Sequence, residues 1–372
     1  MKFSCLQENI SKGLSINSHL AGSSRTSLPI LNNLLLSAEK GVLKISATNL
    51  EIAIETKIRA KTEKKGEITI PAQIFTNYIN LLPNEPLNFE KIKEELIIKS
   101  KNQKAKIKGI SSEEFPIIPQ IEKKEKTIIK SKIFKESLEK TIFTISSSEI
   151  RNELSGALFS FNTPKENKLT IVGTDSYRLT ENQIKTEELS FSDKKEIIIP
   201  VKTLQEISRI LEDDGNVEIY LSENQILFTY KETELFSRII NGTYPDYKQT
   251  IPKTINTEIL INKQELLRTV KAAGFFSKIG INDINFKILS KNNKLVVSSL
   301  NNQIGENEAI LSADIKGKDN EIVFNYRYLI DGLMNLPGDE VKIEIVDDDT
   351  PGLIKPTNNQ SYLYLIMPIK NN

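Results

Sequence analysis

The chain is 372 residues long, which at roughly 150 residues per domain predicts two or three domains with more than one core. Its 50 Lys and Arg against 49 Asp and Glu leave a net charge of +1. That excludes a uniformly basic coat but not a basic patch offset by an acidic face. With 38% hydrophobic and 27% charged residues, the composition is that of a soluble globular protein and not a disordered one.

The N-terminus turns polar by Gln7-Glu8, too soon for a secretory signal, and no apolar run approaches the roughly 20 residues of a spanning helix. Cys5, the single cysteine, sits in a strand-like start. It permits no intrachain disulfide and points to a reducing, cytosolic compartment. Leu6 and Ile10, at i, i+4 spacing, open a short helix. His19 is the only histidine, so no multi-histidine metal site exists and no triad partner is suggested for it. A strand ends at Thr48, and a second strand, Ile68-Thr69-Ile70, runs through Pro71 into a helix reaching Leu82. The charge run Glu122 to Lys126 reads as a linker. Phe134 and Leu138 mark the next helix, and another strand ends at Thr174. Ile197 to Ile199 then passes through Pro200 into the helix Leu204 to Leu211, closed by the turn Glu212-Asp213-Asp214-Gly215. Val217 to Leu221 alternates apolar and polar residues and pairs through Ser222-Glu223-Asn224 with Ile226 to Tyr230 as a hairpin. After the joint Pro252-Lys253-Thr254 come the helix of Leu266 and Val270, the strand of Leu295 to Val297 ending at Ser299, and the strand Ile322 to Phe324. Asn325 then leads into a helix reaching Leu336. Val341 to Ile345 and Leu363 to Ile366 are the last strands. No phosphate-cradling Gly-Lys-Ser/Thr loop or Gly-x-Ser-x-Gly elbow occurs.

Repetition is the more informative feature. Pro71, Pro200 and Asn325 each stand between a strand and a helix, and proline suits a helix start because the first turn leaves its missing donor unused. The pairs Leu6/Ile10, Phe134/Leu138 and Leu266/Val270, and the strand ends at Thr48, Thr174 and Ser299, keep nearly the same spacing. The chain therefore reads as three copies of one α+β unit with two helices each, spanning 1–123, 124–253 and 254–372. The six helices carry ten basic residues against six acidic ones, more positive than the chain as a whole. That bias is modest, and it suits contact with phosphates without a tight grip.

Five motifs in order give a resemblance over the whole chain. They are Arg25-Thr26-Ser27-Leu28-Pro29-Ile30-Leu31, Leu154-Ser155-Gly156-Ala157-Leu158-Phe159, Gly173-Thr174-Asp175-Ser176-Tyr177-Arg178-Leu179, Gly242-Thr243-Tyr244-Pro245-Asp246-Tyr247 and Met367-Pro368-Ile369. With these the chain resembles the bacterial DNA sliding clamps, the β subunits of DNA polymerase III. The resemblance implies three repeated DNA-clamp domains, antiparallel sheets outside and two helices inside each, closed as a head-to-tail ring dimer. It implies a non-enzymatic processivity factor without cofactor or metal, cytoplasmic and off the membrane. The implied partners are duplex DNA, a second copy, the replicative polymerase α subunit, the clamp loader and other proteins with a clamp-binding motif.

The same resemblance implies DNA contacts at Arg25, Arg151 and Lys202. It implies a peptide pocket of Leu154, Thr174, Tyr177, Arg178, Leu179, Pro245, Ile366, Met367, Pro368 and Ile369, and a dimer seam of Ala105, Ile107, Phe275 and Phe276. Aliphatic walls there desolvate Leu or Phe anchors at roughly 1.5–3 kcal/mol each, and Met367 is an adaptable surface. Asn152 and Glu153 follow Arg151 where the resemblance leads one to expect tyrosines, and Gln249, Thr250 and Lys370 depart from the usual pocket. Two rival readings stand beside it. One is a peptide-binding scaffold that never surrounds DNA. The other is a metal-dependent nuclease using Asp347 to Asp349, a cluster that also reads as a solvated turn before Pro351-Gly352.

Overall fold

The computed structural model describes residues 1–22, 28–146, 150–162, 166–191, 193–359 and 361–370. The chain divides into two compact units, Met1–Lys132 with Arg209–Ile239 and Ile133–Ser208 with Ile240–Asn372. These units do not follow the sequence repeat, because sheets run from one repeat into the next.

In the first unit one antiparallel sheet has the order Lys61–Lys64, Lys2–Leu6, Pro86–Ile92, Glu95–Lys99, Lys104–Lys108. A second runs Lys126–Lys130, Asn216–Leu221, Gln225–Tyr230, Thr233–Arg238, Ile52–Arg59, Val42–Thr48, Asn33–Glu39, Gly66–Pro71. In the second unit a long sheet runs Lys195–Pro200, Gly156–Phe161, Lys168–Thr174, Arg178–Lys185, Tyr362–Ile366, Gly352–Pro356, Glu340–Ile345, Thr257–Asn262, Asp314–Gly317. Its 4-stranded companion is ordered Gly305–Ser312, Lys294–Asn301, Asp283–Leu289, Asn320–Asn325. The sheets are joined across repeats at Ile52–Arg59 with Thr233–Arg238 and at Arg178–Lys185 with Tyr362–Ile366.

The helices are α1 (Gln7–Asn17), α2 (Ala72–Leu81), α3 (Ser131–Ile142), α4 (Val201–Ile210), α5 (Lys263–Gly274) and α6 (Tyr326–Asn335). In α1, α3 and α5 the fourth residue is buried (Ile10, Phe134, Leu266), and so is the eighth (Leu14, Leu138, Val270). The expected pair Leu6/Ile10 is thus one turn out of register. Leu6 ends the first strand and is 48% exposed, and a slip of four residues preserves the helical face that the spacing revealed. The third strand end also moves, since its ladder continues past Ser299 to Asn301.

The helix starts do repeat. Pro71, Pro200 and Asn325 close their ladders opposite Asn33, Gly156 and Asp283, and the Asn325 side chain accepts a bond from Arg327 N at 2.9 Å. A second tie recurs in every repeat. Ile110 N donates to Thr69 O at 3.1 Å, Ile240 N to Ile198 O at 2.8 Å and Ile369 N to Val323 O at 2.8 Å. Each core carries packed rings, such as Phe3 stacked on Phe89 at 4.6 Å and Phe286 edge-on to Phe324 at 5.7 Å. Cys5 is buried, and burial pushes its thiol up to about 12.

Candidate functional site

The strand Lys168–Thr174 turns back into Arg178–Lys185 through three residues whose backbone is held by side chains. Thr174 Oγ1 donates to Arg178 O at 2.7 Å and accepts from Ser176 N at 3.1 Å. Asp175 Oδ1 accepts from Tyr177 N and Arg178 N, each at 3.0 Å. Ser176 sits at φ 78°, a left-handed conformation that a non-glycine residue adopts only when its surroundings fix it. Tyr177 is thereby turned outward, 63% exposed. Its carbonyl accepts from Met367 N at 2.8 Å, which brings the segment after Tyr362–Ile366 alongside the turn.

Arg178 organises the floor. Its Nε donates to Asp175 Oδ2 at 2.9 Å and its Nη1 to Asp331 Oδ2 at 2.5 Å. The guanidinium lies 4.5 Å from the Tyr328 ring centre and 5.6 Å from that of Phe143. Burial opposes its charge, yet the bonds to Asp331 and Asp175 outweigh this and raise its pKa further. Below lies an apolar cluster of Leu158, Val172, Leu179, Tyr247, Leu353 and Leu365, with Tyr244 against it. Burial, then the bond from its hydroxyl to Glu181 Oε2 at 2.6 Å, keeps Tyr247 protonated.

Of the expected pocket residues, Thr174, Tyr177, Arg178, Leu179, Ile366 and Met367 meet at this turn and tail, and the ten differ in exposure. Tyr177, Pro245 and Met367 are exposed, and Arg178, Pro368 and Ile369 are half-buried. Leu154, Thr174, Leu179 and Ile366 are buried. Sequence reasoning missed Asp331, Tyr328 and Phe143. Asp175 was within reach, three residues before Arg178 in one motif. The other three come from distant elements and leave no local signal.

Among the expected DNA contacts, Arg25 lies outside the described residues. Lys202 is exposed as the second residue of α4. Arg151 is exposed, and its Nη1 donates to Ser176 Oγ at 3.1 Å, which sets it beside the groove turn. Part of the helix charge is tied up locally, with Lys12 on Glu8 at 2.6 Å and Lys140 on Glu136 at 3.5 Å. Arg268 and Lys271 remain exposed, and Lys135 is half-buried.

Of the seam residues, Ile107 is buried within its own unit and Ala105 half-buried. Phe275 is 78% exposed just after α5, with Phe276 half-buried beside it. Ile279, Ile304 and Ile310 are exposed in the same repeat, a feature the sequence reading did not include. Asp347 forms a turn, its Oδ1 accepting from Asp349 N at 3.1 Å and Thr350 N at 2.8 Å. No metal-holding cluster of His, Cys, Asp and Glu occurs among the described residues.

Repeated two-sheet domains joined edge to edge, with two helices apiece, define a three-domain clamp fold. Three family descriptions match in succession, the N-terminal domain of the DNA polymerase III beta subunit over residues 1–119, its central domain over 128–246 and its C-terminal domain over 248–370. The beta sliding clamp of Bacillus subtilis (strain 168) is 30% identical over 94% of both chains. That of Synechococcus elongatus is 28% identical over 100% of this chain and 99% of its own. Among solved structures, the B. subtilis DNA polymerase sliding clamp superposes with a TM-score of 0.94 at 28% identity, both chains covered in full. A putative DNA polymerase III beta subunit from Eubacterium rectale gives 0.92 at 31%, again with both chains covered in full. The chain belongs to the family of DNA polymerase III β subunits, the bacterial sliding clamps, non-catalytic processivity factors in DNA replication.

Proposed function

We propose that two copies of this chain close head to tail into a ring around duplex DNA. The groove at Tyr177, Arg178, Met367, Pro368 and Ile369 then tethers the replicative polymerase α subunit, the clamp loader and other proteins bearing a clamp-binding motif. The observation that carries this reading is a joint made twice and left open once. Ile52–Arg59 pairs with Thr233–Arg238, and Arg178–Lys185 with Tyr362–Ile366. The strands in the corresponding positions of the third joint, Gly305–Ser312 and Lys104–Lys108, are both sheet edges. An exposed edge invites pairing with another chain, and a joint between unlike surfaces closes into a ring when its rotation allows.

The register of the two closed joints, carried to the third, sets Glu306 opposite Lys106 and Glu308 opposite Lys104 across subunits, with Asn307 facing Ala105 and Gly305 facing Ile107. Opposite charges so placed contribute roughly 0.2–1 kcal/mol each, and they fix which edges meet. Phe275 and Phe276, with Ile279 and Ile304, supply apolar area. Lys202 and Arg151 face phosphates in this reading, and the family resemblance adds Arg25 as a contact. A peptide held by a few apolar anchors binds near micromolar, about −8 kcal/mol, weak enough for partners to exchange. The gain is local concentration. The setting is the cytoplasm. Among the described residues no helix is long and apolar enough to cross a membrane.

Retention on nicked circular versus linear DNA tests encirclement, and equal retention on both would defeat it. Reversing Glu306 and Glu308 to Lys should give monomers by light scattering. Mixing with the variant Lys104→Glu/Lys106→Glu should restore dimers, because both seams of the mixed pair are then complementary. Met367→Asp should abolish peptide binding with the dimer intact.

A further inference from the structure

The two closed joints share a register but not a filling. In the second unit, Tyr362 pairs with Asn182. Its ring is 1% exposed and its hydroxyl donates to Lys140 O, in the last turn of α3, at 3.1 Å. At the same place in the first unit, Thr233 pairs with Thr56, and the carbonyl matching Lys140 O is Ile16 O in the last turn of α1. Arg209 Nη2 reaches that carbonyl instead, at 2.7 Å. Where the second joint holds a phenol ring, the first holds a half-open cleft of about 890 Å³ in which Ile16, Val42, Thr56, Ile58, Ile210 and Thr233 stand among charged side chains such as Lys12, Lys57 and Lys231.

The cavity has a polar floor. Thr56 Oγ1 and Thr233 Oγ1 lie 3.1 Å apart, and Asn17 Nδ2 donates to Thr56 Oγ1 at 2.8 Å. Asn17 is fully buried, and its Oδ1 has no hydrogen-bond partner. Asn17 does not itself line the cavity and bears on it through Thr56. Four aliphatic side chains and two threonines, in a cleft otherwise bordered by charged groups, accept a compact ring with one polar end.

We propose that this cavity binds a planar aromatic ring carrying a hydrogen-bond donor, a phenol in the simplest case, in the place that Tyr362 occupies in the sister joint. The ring lies against Ile16, Val42, Ile58 and Ile210. Its hydroxyl donates to a threonine oxygen or to the second lone pair of Ile16 O, since a carbonyl accepts two bonds. The site is separate from the peptide groove and stands whether or not the chain forms a ring.

The probe is p-cresol, the tyrosine side chain itself, titrated into the full-length protein with its Ile and Val methyl groups labelled for NMR. Saturable millimolar shifts centred on Ile16, Val42, Ile58 and Ile210 are expected, with toluene binding more weakly for want of the donor. Thr233→Tyr should set a phenol ring in the part of the cleft beside Thr56, weaken p-cresol at least about tenfold and leave cooperative unfolding intact at an equal or higher Tm. Absence of saturable shifts at these four residues in the unmodified protein overturns the proposal, whatever the variant does. Unchanged p-cresol binding by folded Thr233→Tyr overturns it equally.

Discussion

The turn Thr48-Asn49-Leu50-Glu51-Ile52 is the groove turn Thr174-Asp175-Ser176-Tyr177-Arg178 built a second time. Thr48 Oγ1 donates to Ile52 O at 2.9 Å and accepts from Leu50 N at 3.1 Å. Asn49 Oδ1 accepts from Glu51 N at 3.1 Å and Ile52 N at 2.8 Å. Leu50 takes φ 76° where Ser176 takes 78°, and Arg238 N donates to Glu51 O as Met367 N does to Tyr177 O. The backbones are alike, so the backbone does not single out the proposed peptide site. The side chains do. Ile52 is 3% exposed where Arg178 carries an ion-paired guanidinium, and Arg238 stands where Met367 offers an apolar surface.

Arg178→Ala should break this comparison most severely. It strands the largely buried Asp175, whereas Asp331, 44% exposed, regains water, so the cost is about 1–3 kcal/mol. Peptide binding in a fluorescence polarisation assay should disappear with it. Ile52→Ala removes a buried side chain at a similar cost of about 2–4 kcal/mol, yet should leave peptide affinity unchanged. Equal loss of affinity in both variants would mean that the groove depends on general stability and not on Arg178. The exchange Met367→Asp against Arg238→Asp sharpens the contrast, with peptide weakened at least about tenfold in the first alone.

Much of this was legible from the sequence because its signals were local. Proline before a helix, apolar residues four apart and alternating strands survive any tertiary context. The repeat located the starts of α2, α4 and α6 but erred at Leu6, where an i, i+4 pattern cannot distinguish one turn from the next. The turn residues Thr174 and Asp175 sat inside one motif, and both bond backbone in the folded turn. Asp331 and Tyr328 were out of reach. They meet Arg178 only because Arg178–Lys185 pairs with Tyr362–Ile366 and α6 packs nearby, and no spacing along the chain encodes that. The gap at Thr233 was equally hidden, since only the shared register makes threonine the counterpart of tyrosine.

Acid should separate the two joint-bearing sheets by a smaller margin. In the second unit, burial pushes Glu344 up, but bonds from Lys355 at 2.6 Å and Lys342 at 3.0 Å outweigh it and hold its pKa below the ordinary value. Glu218 in the first unit is also lowered, by Tyr220 and Lys126, on a more exposed strand face. A carboxylate depressed in the folded state contributes stability above its unfolded pKa and loses it as pH falls through the folded one. Glu344→Gln should therefore flatten the acid limb of thermal stability more than Glu218→Gln does. The reverse order would show that exposure, and not the lysine pair, sets the effect.

The smallest effect concerns the left-handed residue itself. Leu50 pays a steric penalty at positive φ, whereas its side chain is 46% exposed and buries little. Replacing it with glycine removes the clash but widens the unfolded ensemble, so the two terms nearly cancel and leave a gain of up to about 0.5 kcal/mol. Ser176→Gly should fall at or below zero, because the same change there also deletes the hydroxyl that accepts from Arg151. Urea unfolding of both variants measures the difference. A clear loss at Leu50 would mean that its side chain packs against something in the working assembly, and the two turns would then be equals in function as well as in backbone.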